Sequence, residues 1–241
     1  MDIFHSQSST NRDSAWDRTE NYIKEERPLQ GARKIIVKGS VDVVFRRYDT
    51  PTLVVAGETA EAVESVKTYI DNGKLVIERE GMTISFGNGN MVFHGSVGSF
   101  TVGDIVNGKA TGTSMNINRG KVVVGVGLPE APAIKIKGSG NATLLDLLQS
   151  GLELEVQGSG DITASGTVSS LTADVTGSGD VDACDLVADR ASLTVAGSGD
   201  IEAFVRSDVR ARVAGSGNIV VRGNPPRRDP TIAGSGKIKF R

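Results

Sequence analysis

Residues Leu152 to Ser165 read LELEVQGSGDITAS, and the pattern within this segment indicates the fold of the chain. Alternate residues, beginning with Leu152, are all apolar or glycine, and the residues between them are all polar. A period of two is that of a β-strand with one buried face. The period continues through Gly158-Ser159-Gly160 without a shift, so the glycines belong to the buried side and the serine to the exposed side.

The same tripeptide recurs through the second half of the chain with the same flanking alternation. Its six copies are 20, 19, 20, 18 and 19 residues apart. The repeat glycines are Gly138, Gly140, Gly158, Gly160, Gly177, Gly179, Gly197, Gly199, Gly215, Gly217, Gly234 and Gly236. Paired glycines of this kind indicate a bend where the coil is too narrow for a side chain.

Identical segments at this spacing are better explained by parallel stacking, about 4.8 Å apart, than by hairpins that reverse the chain. A flexible Gly/Ser linker would not keep the alternation in register. The sequence therefore predicts an all-β fold, a single parallel β-helix or β-solenoid with coils of about 19 residues. The coil is right-handed by the general rule for parallel connections.

The pattern divides the chain unevenly. Residues 1–27 are polar and predict a leader that is disordered or caps the first coil, and residues 28–241 are assigned to one β-helix domain. Within it, residues 134–241 hold the regular repeats, and residues 81–120, rich in Gly, Asn and Ser, predict irregular coils or a protruding loop. Asp71-Asn72-Gly73 predicts a hairpin turn.

Composition limits the possible functions. The formal net charge of −2 gives no general electrostatic case for binding nucleic acid. Cys184 is the single cysteine, so no internal disulfide can form, and His5 and His94 are the only histidines. No signal peptide or transmembrane stretch is visible, and no cofactor motif is convincing.

One outward column contains several carboxylates. It reads Asn141, Asp161, Asp180, Asp200, Asn218 and Lys237. Stacked coils would place Asp161, Asp180 and Asp200 about 5 Å apart, which makes them a weak candidate for a cation site. The alternative is that Asp and Asn favour bends, where their side chains bond nearby backbone. A polysaccharide-active enzyme could also use such carboxylates, but Trp16, the only tryptophan, lies in the leader, and no catalytic residue is assigned.

The last strand pattern ends at Phe240 and leaves an open edge on the final coil. Three coverings are considered for that edge: a second copy of the chain, the leader, or a further segment.

Two stretches resemble a known family. They are Glu25-Glu26-Arg27-Pro28-Leu29, followed by IIVKGSVDV at 35–43, and Leu128-Pro129, followed by IKIKGSGN at 134–141. Together with the Gly-Ser-Gly-Asp copies they resemble the bacterial GIN-domain proteins, described as auto-transporter adhesin head domains. The resemblance covers residues 25 to 241, apart from 81–120. It implies a parallel β-helix in a cell-envelope or secreted setting, without catalytic residues.

Two classes of function remain open from the sequence. The first is a non-enzymatic surface module that binds a carbohydrate or a surface protein through a repetitive β-helix face. The second is an intracellular or periplasmic scaffold that self-assembles through its coil ends. The resemblance favours the first class and an envelope or extracellular location, whereas the missing signal peptide favours the second class and leaves the cytoplasm open.

Overall fold

The computed structural model describes Phe4, residues 15–79 and residues 120–241 in full, and between them the backbone of four strands. Before the long insertion lie β1 (Ile23–Arg27), β2 (Lys34–Gly39), β3 (Asp42–Arg47), β4 (Thr52–Gly57), α1 (Ala60–Glu64), β5 (Val66–Asp71) and β6 (Lys74–Arg79). The insertion holds β7 (Met82–Phe86), β8 (Gly89–Phe93), β9 (Ser99–Val106) and β10 (Lys109–Asn116). After it come β11 (Val122–Leu128), β12 (Ala133–Gly138), β13 (Ala142–Gly158), β14 (Ile162–Gly177), β15 (Val181–Gly197), β16 (Asp200–Gly215), β17 (Asn218–Arg222), β18 (Arg227–Gly234) and β19 (Lys237–Phe240).

The long strands β13 to β16 each follow most of one coil and pair with one another in parallel. Equivalent residues of successive repeats pair with each other in these strands. Val156, Val175, Val195 and Val213, for example, form one continuous column of partners. All four valines are at most 2% exposed. The predicted parallel β-solenoid is confirmed, and its core consists of such columns of aliphatic side chains.

The first coils stack in an order that differs from the order of the chain. Strand β2 lies between β6 and β12, and β3 lies between β11 and β13, with all four pairings parallel. In space, β6 and β11 therefore stack on one side of β2 and β3, and β12 and β13 stack on the other side. We call β6 and β11 the leading coil; its corner, between Arg79 and Lys121, carries the insertion in place of a short bend.

Antiparallel strands flank the leading coil. Strand β4 pairs with β11, β1 pairs with β4, and β5 pairs with β6. The predicted turn between β5 and β6 is confirmed, since Asn72 and Gly73 have φ values of 49° and 74°. The short helix α1 begins after Thr59, whose Oγ1 accepts a hydrogen bond from the Ala62 N–H at 3.1 Å.

The described part of the polar leader packs on the outer face of this region. Ala15–Arg18 form a 3₁₀ helix, and Trp16 and Phe4 are 1% and 2% exposed. Their ring centroids are 4.7 Å apart. They share a small cluster with the outward-facing side chains of β3, β4 and β11, namely Val44, Val54, Ala56 and Val123. The leader thus contributes a second, outer apolar layer.

The insertion was expected to form irregular coils or a loop over residues 81–120. Where the backbone is described, it forms two antiparallel hairpins, β7 with β8 and β9 with β10, each a separate two-stranded sheet. The frequent Gly, Asn and Ser residues obscure the alternation that would have indicated strands. The other residues of the expected range, up to Arg119, lie outside the described part of the chain.

Candidate binding surfaces

The Gly-Ser-Gly corners bring the backbones of successive coils into close contact. The carbonyl oxygen of Gly138 accepts hydrogen bonds from the N–H groups of Ser159 and Gly160, at 2.9 and 3.1 Å. A Cβ atom on Gly160 would lie only 2.0 Å from the carbonyl oxygen of Gly140. The obstacle to a side chain is therefore the backbone of the preceding coil, whereas the sequence pattern suggested a narrow interior.

The first glycine of each corner has an additional requirement. Gly158 has a φ of 133°, and the equivalent glycines from Gly138 to Gly234 lie between 125° and 143°. Side-chain-bearing residues rarely adopt this backbone conformation. Both glycines of the repeat are thus necessary, each for its own steric reason.

Immediately after each corner, the acidic column forms a ladder of hydrogen bonds. The Oδ1 atom of Asp161 accepts from the Asp180 N–H at 2.9 Å, and that of Asp180 accepts from the Asp200 N–H at 2.7 Å. The ladder begins upstream, where Asn141 donates to Asp42, and ends at Asn218. These side chains form hydrogen bonds with nearby backbone, which was the alternative to a cation site in the sequence analysis.

The ladder also bears on the candidate cation site. One carboxylate oxygen of each of Asp161, Asp180 and Asp200 is already engaged by a backbone donor. Among the residues that the structure describes, no group of three or more His, Cys, Asp or Glu side chains could hold a metal ion.

A groove of about 300 Å³ runs across the outer wall of coils β14 to β18. Two columns of side chains line it. Ser170, Arg190 and Asp208 form the first column, and Thr172, Ser192, Arg210 and Asp229 form the second. We call this surface the groove wall. Its side chains project from strands whose register is fixed by the repeat, so their spacing along the axis is regular.

The charges on the groove wall are mixed. The Arg210 Nε lies 3.1 Å from the Asp229 carboxylate, and the Arg227 Nε lies 3.6 Å from the Asp208 carboxylate. Glu153 stands at the head of the second column, which runs through two hydroxyl residues to Arg210 and ends at Asp229. The wall offers alternating donors and acceptors rather than a charge of one sign.

Residues 33–225 match the sequence profile of a family described as "Putative auto-transporter adhesin, head GIN domain". The chain belongs to this family. Its fold is similar to that of a "putative adhesin" from Bacteroides fragilis, at 18% identity and a TM-score of 0.60, over 92% of this chain and 98% of that chain. It is also similar to a "putative adhesin" from Parabacteroides distasonis, at 17% identity and a TM-score of 0.50, over 91% and 97%. No curated protein matches the sequence significantly.

A charged cluster joins three coils of this GIN domain. Lys34 Nζ lies 3.0 Å from Glu153 and 3.3 Å from Glu155, and Lys135 Nζ lies 2.6 Å from the other oxygen of Glu155. Burial raises the pKa of Glu155, but the hydrogen bonds and positive charges of Lys135 and Lys34 outweigh burial and hold the pKa below its usual value. The cluster links β2, β12 and β13 on their outer face.

Cys184 is half-buried on the outer side of β15. Burial, together with the hydrogen bond and negative charge of Asp182, raises the pKa of its thiol to about 12. A neutral thiol is a weak nucleophile, so this site does not have the environment of a reactive cysteine.

At the far end of the GIN domain, β18 pairs only with β16, and β19 pairs only with β17, among the described strands. The described leader residues pack at the opposite end of the solenoid, so they do not cover this edge. The outermost coil carries Pro230 and Lys237, and the Arg228 guanidinium lies 4.6 Å from the centroid of the Phe240 ring. Proline and exposed basic side chains are devices that discourage strand addition at an edge.

In the described part of the chain, no helix is long and apolar enough to cross a membrane.

Proposed function

We propose that this GIN domain is a non-enzymatic adhesion module of the bacterial envelope or cell surface, and that it binds a carbohydrate or a surface protein through the groove wall. The observation that carries the proposal is the fixed register of that wall. Hydroxyl, guanidinium and carboxylate groups follow one another there at a spacing of one coil, on strands that form one sheet.

A rigid, repetitive and polar wall is well suited to an extended ligand. Neighbouring coils place their side chains about 4.8 Å apart, so a polymer lying along the axis meets a hydroxyl, a guanidinium or a carboxylate at each coil. The backbone of these strands is already ordered, so binding does not have to order a loop, which favours affinity. Ser192 and Thr172 offer hydroxyl groups, while Arg190 and Arg210 offer several donors each to hydroxyl, carboxylate or carbonyl oxygens.

The non-enzymatic part of the proposal draws on the acidic column. Asp161, Asp180 and Asp200 each use a carboxylate oxygen to bind the backbone of the next coil. A pair of carboxylates that performs acid–base catalysis needs oxygens that reach a substrate. The ladder therefore supports a structural role for these groups.

Binding by the full chain to arrayed glycans and to envelope proteins from the source bacterium tests the proposal. Arg190→Ser combined with Arg210→Ser removes two cations from the groove wall and should weaken binding at least about tenfold. Arg33→Ser combined with Lys137→Ser removes the same charge elsewhere and should leave binding unchanged. Equal loss in both double variants, or no binding to either array, would overturn the assignment of the wall.

Location is tested separately by treating intact cells with protease. Cleavage of the native protein from outside supports the surface assignment. Protection in intact cells and release in the soluble fraction after lysis would exclude an adhesion role.

A further inference from the structure

The first column of the groove wall contains a cation that has no partner within the described chain. The column runs from Ser170 on β14 through Arg190 on β15 to Asp208 on β16 and Arg227 on β18. Arg190 is exposed and lines the groove, and among the residues that the structure describes its guanidinium forms no ion pair and no hydrogen bond. A guanidinium stays charged and carries five N–H donors, so Arg190 is available to an acceptor from outside the chain.

The carboxylates that line the groove are paired with other arginines. Asp208 lies 3.6 Å from the Nε of Arg227, and Asp229 lies 3.1 Å from the Nε of Arg210. With these two pairs formed, Arg190 is the remaining charge in the lining of the groove. The groove therefore has a surplus of one positive charge, and that charge is located on β15.

The coil that precedes Arg190 offers hydroxyl groups and open space. Ser170 is the partner of Arg190 on β14, and Thr172 and Ser192 stand beside them in the second column. On β13 the first column holds Gly151, where a Cβ atom would meet only the Ser170 Oγ, at 3.5 Å. A ligand can therefore lie against the hydroxyl groups of β14 with its charged group above β15.

The spacing of the wall distinguishes a polysaccharide from a peptide. Successive coils lie about 4.8 Å apart, which is close to the length of one pyranose ring with its linkage. An extended peptide directs side chains to the same side only at every second residue, about every 6.7 Å, and this repeat does not match the coils. A polysaccharide that lies along the axis can thus place one sugar on each coil.

We infer that the ligand of the groove wall is an acidic polysaccharide and that Arg190 recognises its carboxylate; this inference rests on the proposed adhesion function. A uronic acid carboxylate matches the fork of the Arg190 guanidinium and can accept two parallel hydrogen bonds from it. The sugar over β14 meets hydroxyl groups, and the sugar over β16 meets Asp208 and Asp229, which would repel a second carboxylate. A chain in which acidic and neutral sugars alternate therefore fits the wall best.

The test compares one oligosaccharide with and without its negative charge. The probes are hyaluronate oligosaccharides, in which glucuronate alternates with a neutral sugar, and the same oligosaccharides with methyl-esterified carboxylates. A third probe, poly-glutamate, presents carboxylates on a peptide. Calorimetric titration of the full chain at constant ionic strength measures the affinity for each probe.

Three variants assign the carboxylate to its partner. Arg190→Gln removes the proposed contact, and Arg190→Lys keeps the charge but loses the fork. Arg212→Gln is the matched control, because Arg212 is exposed on β16 outside the groove lining and also forms no ion pair among the described residues. Circular dichroism checks that each variant is folded.

The native chain should bind hyaluronate saturably and at least about tenfold more tightly than the methyl ester. Arg190→Gln should lose about tenfold in affinity for hyaluronate and little for the ester, Arg190→Lys should fall between, and Arg212→Gln should bind as the native chain does. Equal affinity for hyaluronate and its ester, tighter binding of poly-glutamate, or equal losses in Arg190→Gln and Arg212→Gln would overturn the inference.

Failure of this inference is distinguishable from failure of the proposed function. If both forms of the oligosaccharide bind equally and Arg190→Ser combined with Arg210→Ser weakens both, the wall still binds a glycan, and only the acidic class of ligand is wrong. If neither form binds and the arrayed glycans and envelope proteins also fail to bind, both proposals are wrong.

Discussion

The carboxylate of Asp180 accepts a hydrogen bond from the backbone N–H of Asp200, 2.7 Å away and one coil further along the solenoid. Asp161 is linked to Asp180 in the same manner, at 2.9 Å, and Asp200 to Asn218 at 2.7 Å. These links lie just past the corners, where the parallel ladder is interrupted. An outward column that resembles a ligand-binding motif in the sequence thus closes a gap in the hydrogen bonding of the backbone.

Replacing Asp180 separates the loss of the acceptor from the loss of charge. Asp180→Ala should lower the free energy of unfolding by about 1 kcal/mol, because the Asp200 N–H loses its partner at an exposed site. Asp180→Asn keeps an acceptor oxygen and should cost less. Urea unfolding followed by circular dichroism measures both variants.

Calcium provides the contrasting test of the same column. A ligand that binds the native state raises the melting temperature. We expect no shift with millimolar CaCl₂ beyond that of an equal ionic strength of NaCl. A calcium-specific rise that Asp180→Asn abolishes would restore the cation site and contradict a purely structural ladder.

The glycine corners predict a strong and position-specific effect. A Cβ on Gly199 would lie 2.0 Å from the Gly179 carbonyl oxygen, a contact that backbone atoms cannot relieve cheaply. Gly199→Ala should therefore destabilise the protein by at least about 3 kcal/mol. Gly151→Ala is the matched control, since its Cβ would meet only the Ser170 hydroxyl at 3.5 Å. Similar unfolding free energies for the two variants would disprove the steric account.

The coils could be predicted from sequence because every corner imposes the same two constraints. Gly158 needs a positive φ, Gly160 needs room for the next backbone, and the valines between corners must face inward. All three requirements leave a mark at a fixed spacing. The position of the leading coil in the stack could not be predicted from a repeat, because its corner carries an insertion between Arg79 and Lys121 instead.

The candidate surfaces were harder to predict than the coils. Phe4 and Trp16 are isolated apolar residues in a polar segment, so no periodicity showed that they pack on β3 and β11. Arg18 and Lys121, which are far apart in the chain, line one cavity beside the leader, and only the stacking order brings them together. The second column of the groove wall was partly foreseeable, since the change from Glu153 to Arg210 follows from the repeat spacing.

The cluster around Glu155 predicts a defined dependence of stability on pH. The pKa of Glu155 is lower in the folded protein than in the unfolded chain. Its contribution to the free energy of unfolding is therefore complete above about pH 4.3, the pKa of Glu in an unfolded chain. It disappears as the pH falls through the lower folded-state pKa. Glu155→Gln should thus cost about 1 kcal/mol at pH 7 and less at pH 3 than at pH 7.

Urea unfolding of the native chain and of Glu155→Gln at pH 7, 5 and 3 measures this difference. Glu130→Gln is the control, because the exposed Glu130 forms no ion pair within the described ranges. A cost for Glu155→Gln that stays constant down to pH 3 would contradict the assigned role of Lys34 and Lys135.

The environment of Cys184 predicts slow alkylation of the native protein. Its thiol has a pKa of about 12 in the folded state, raised first by burial and then by Asp182, against about 8.5 in an unfolded chain. At pH 8.5 about half of the unfolded thiols are ionised, but only about one in 10³ of the folded ones. Labelling with iodoacetamide, measured by mass spectrometry, should therefore be at least about 100-fold slower in buffer than in urea. Asp182→Asn removes a negative charge and should speed labelling of the folded protein, whereas equal rates in buffer and in urea would show that the folded environment does not protect Cys184.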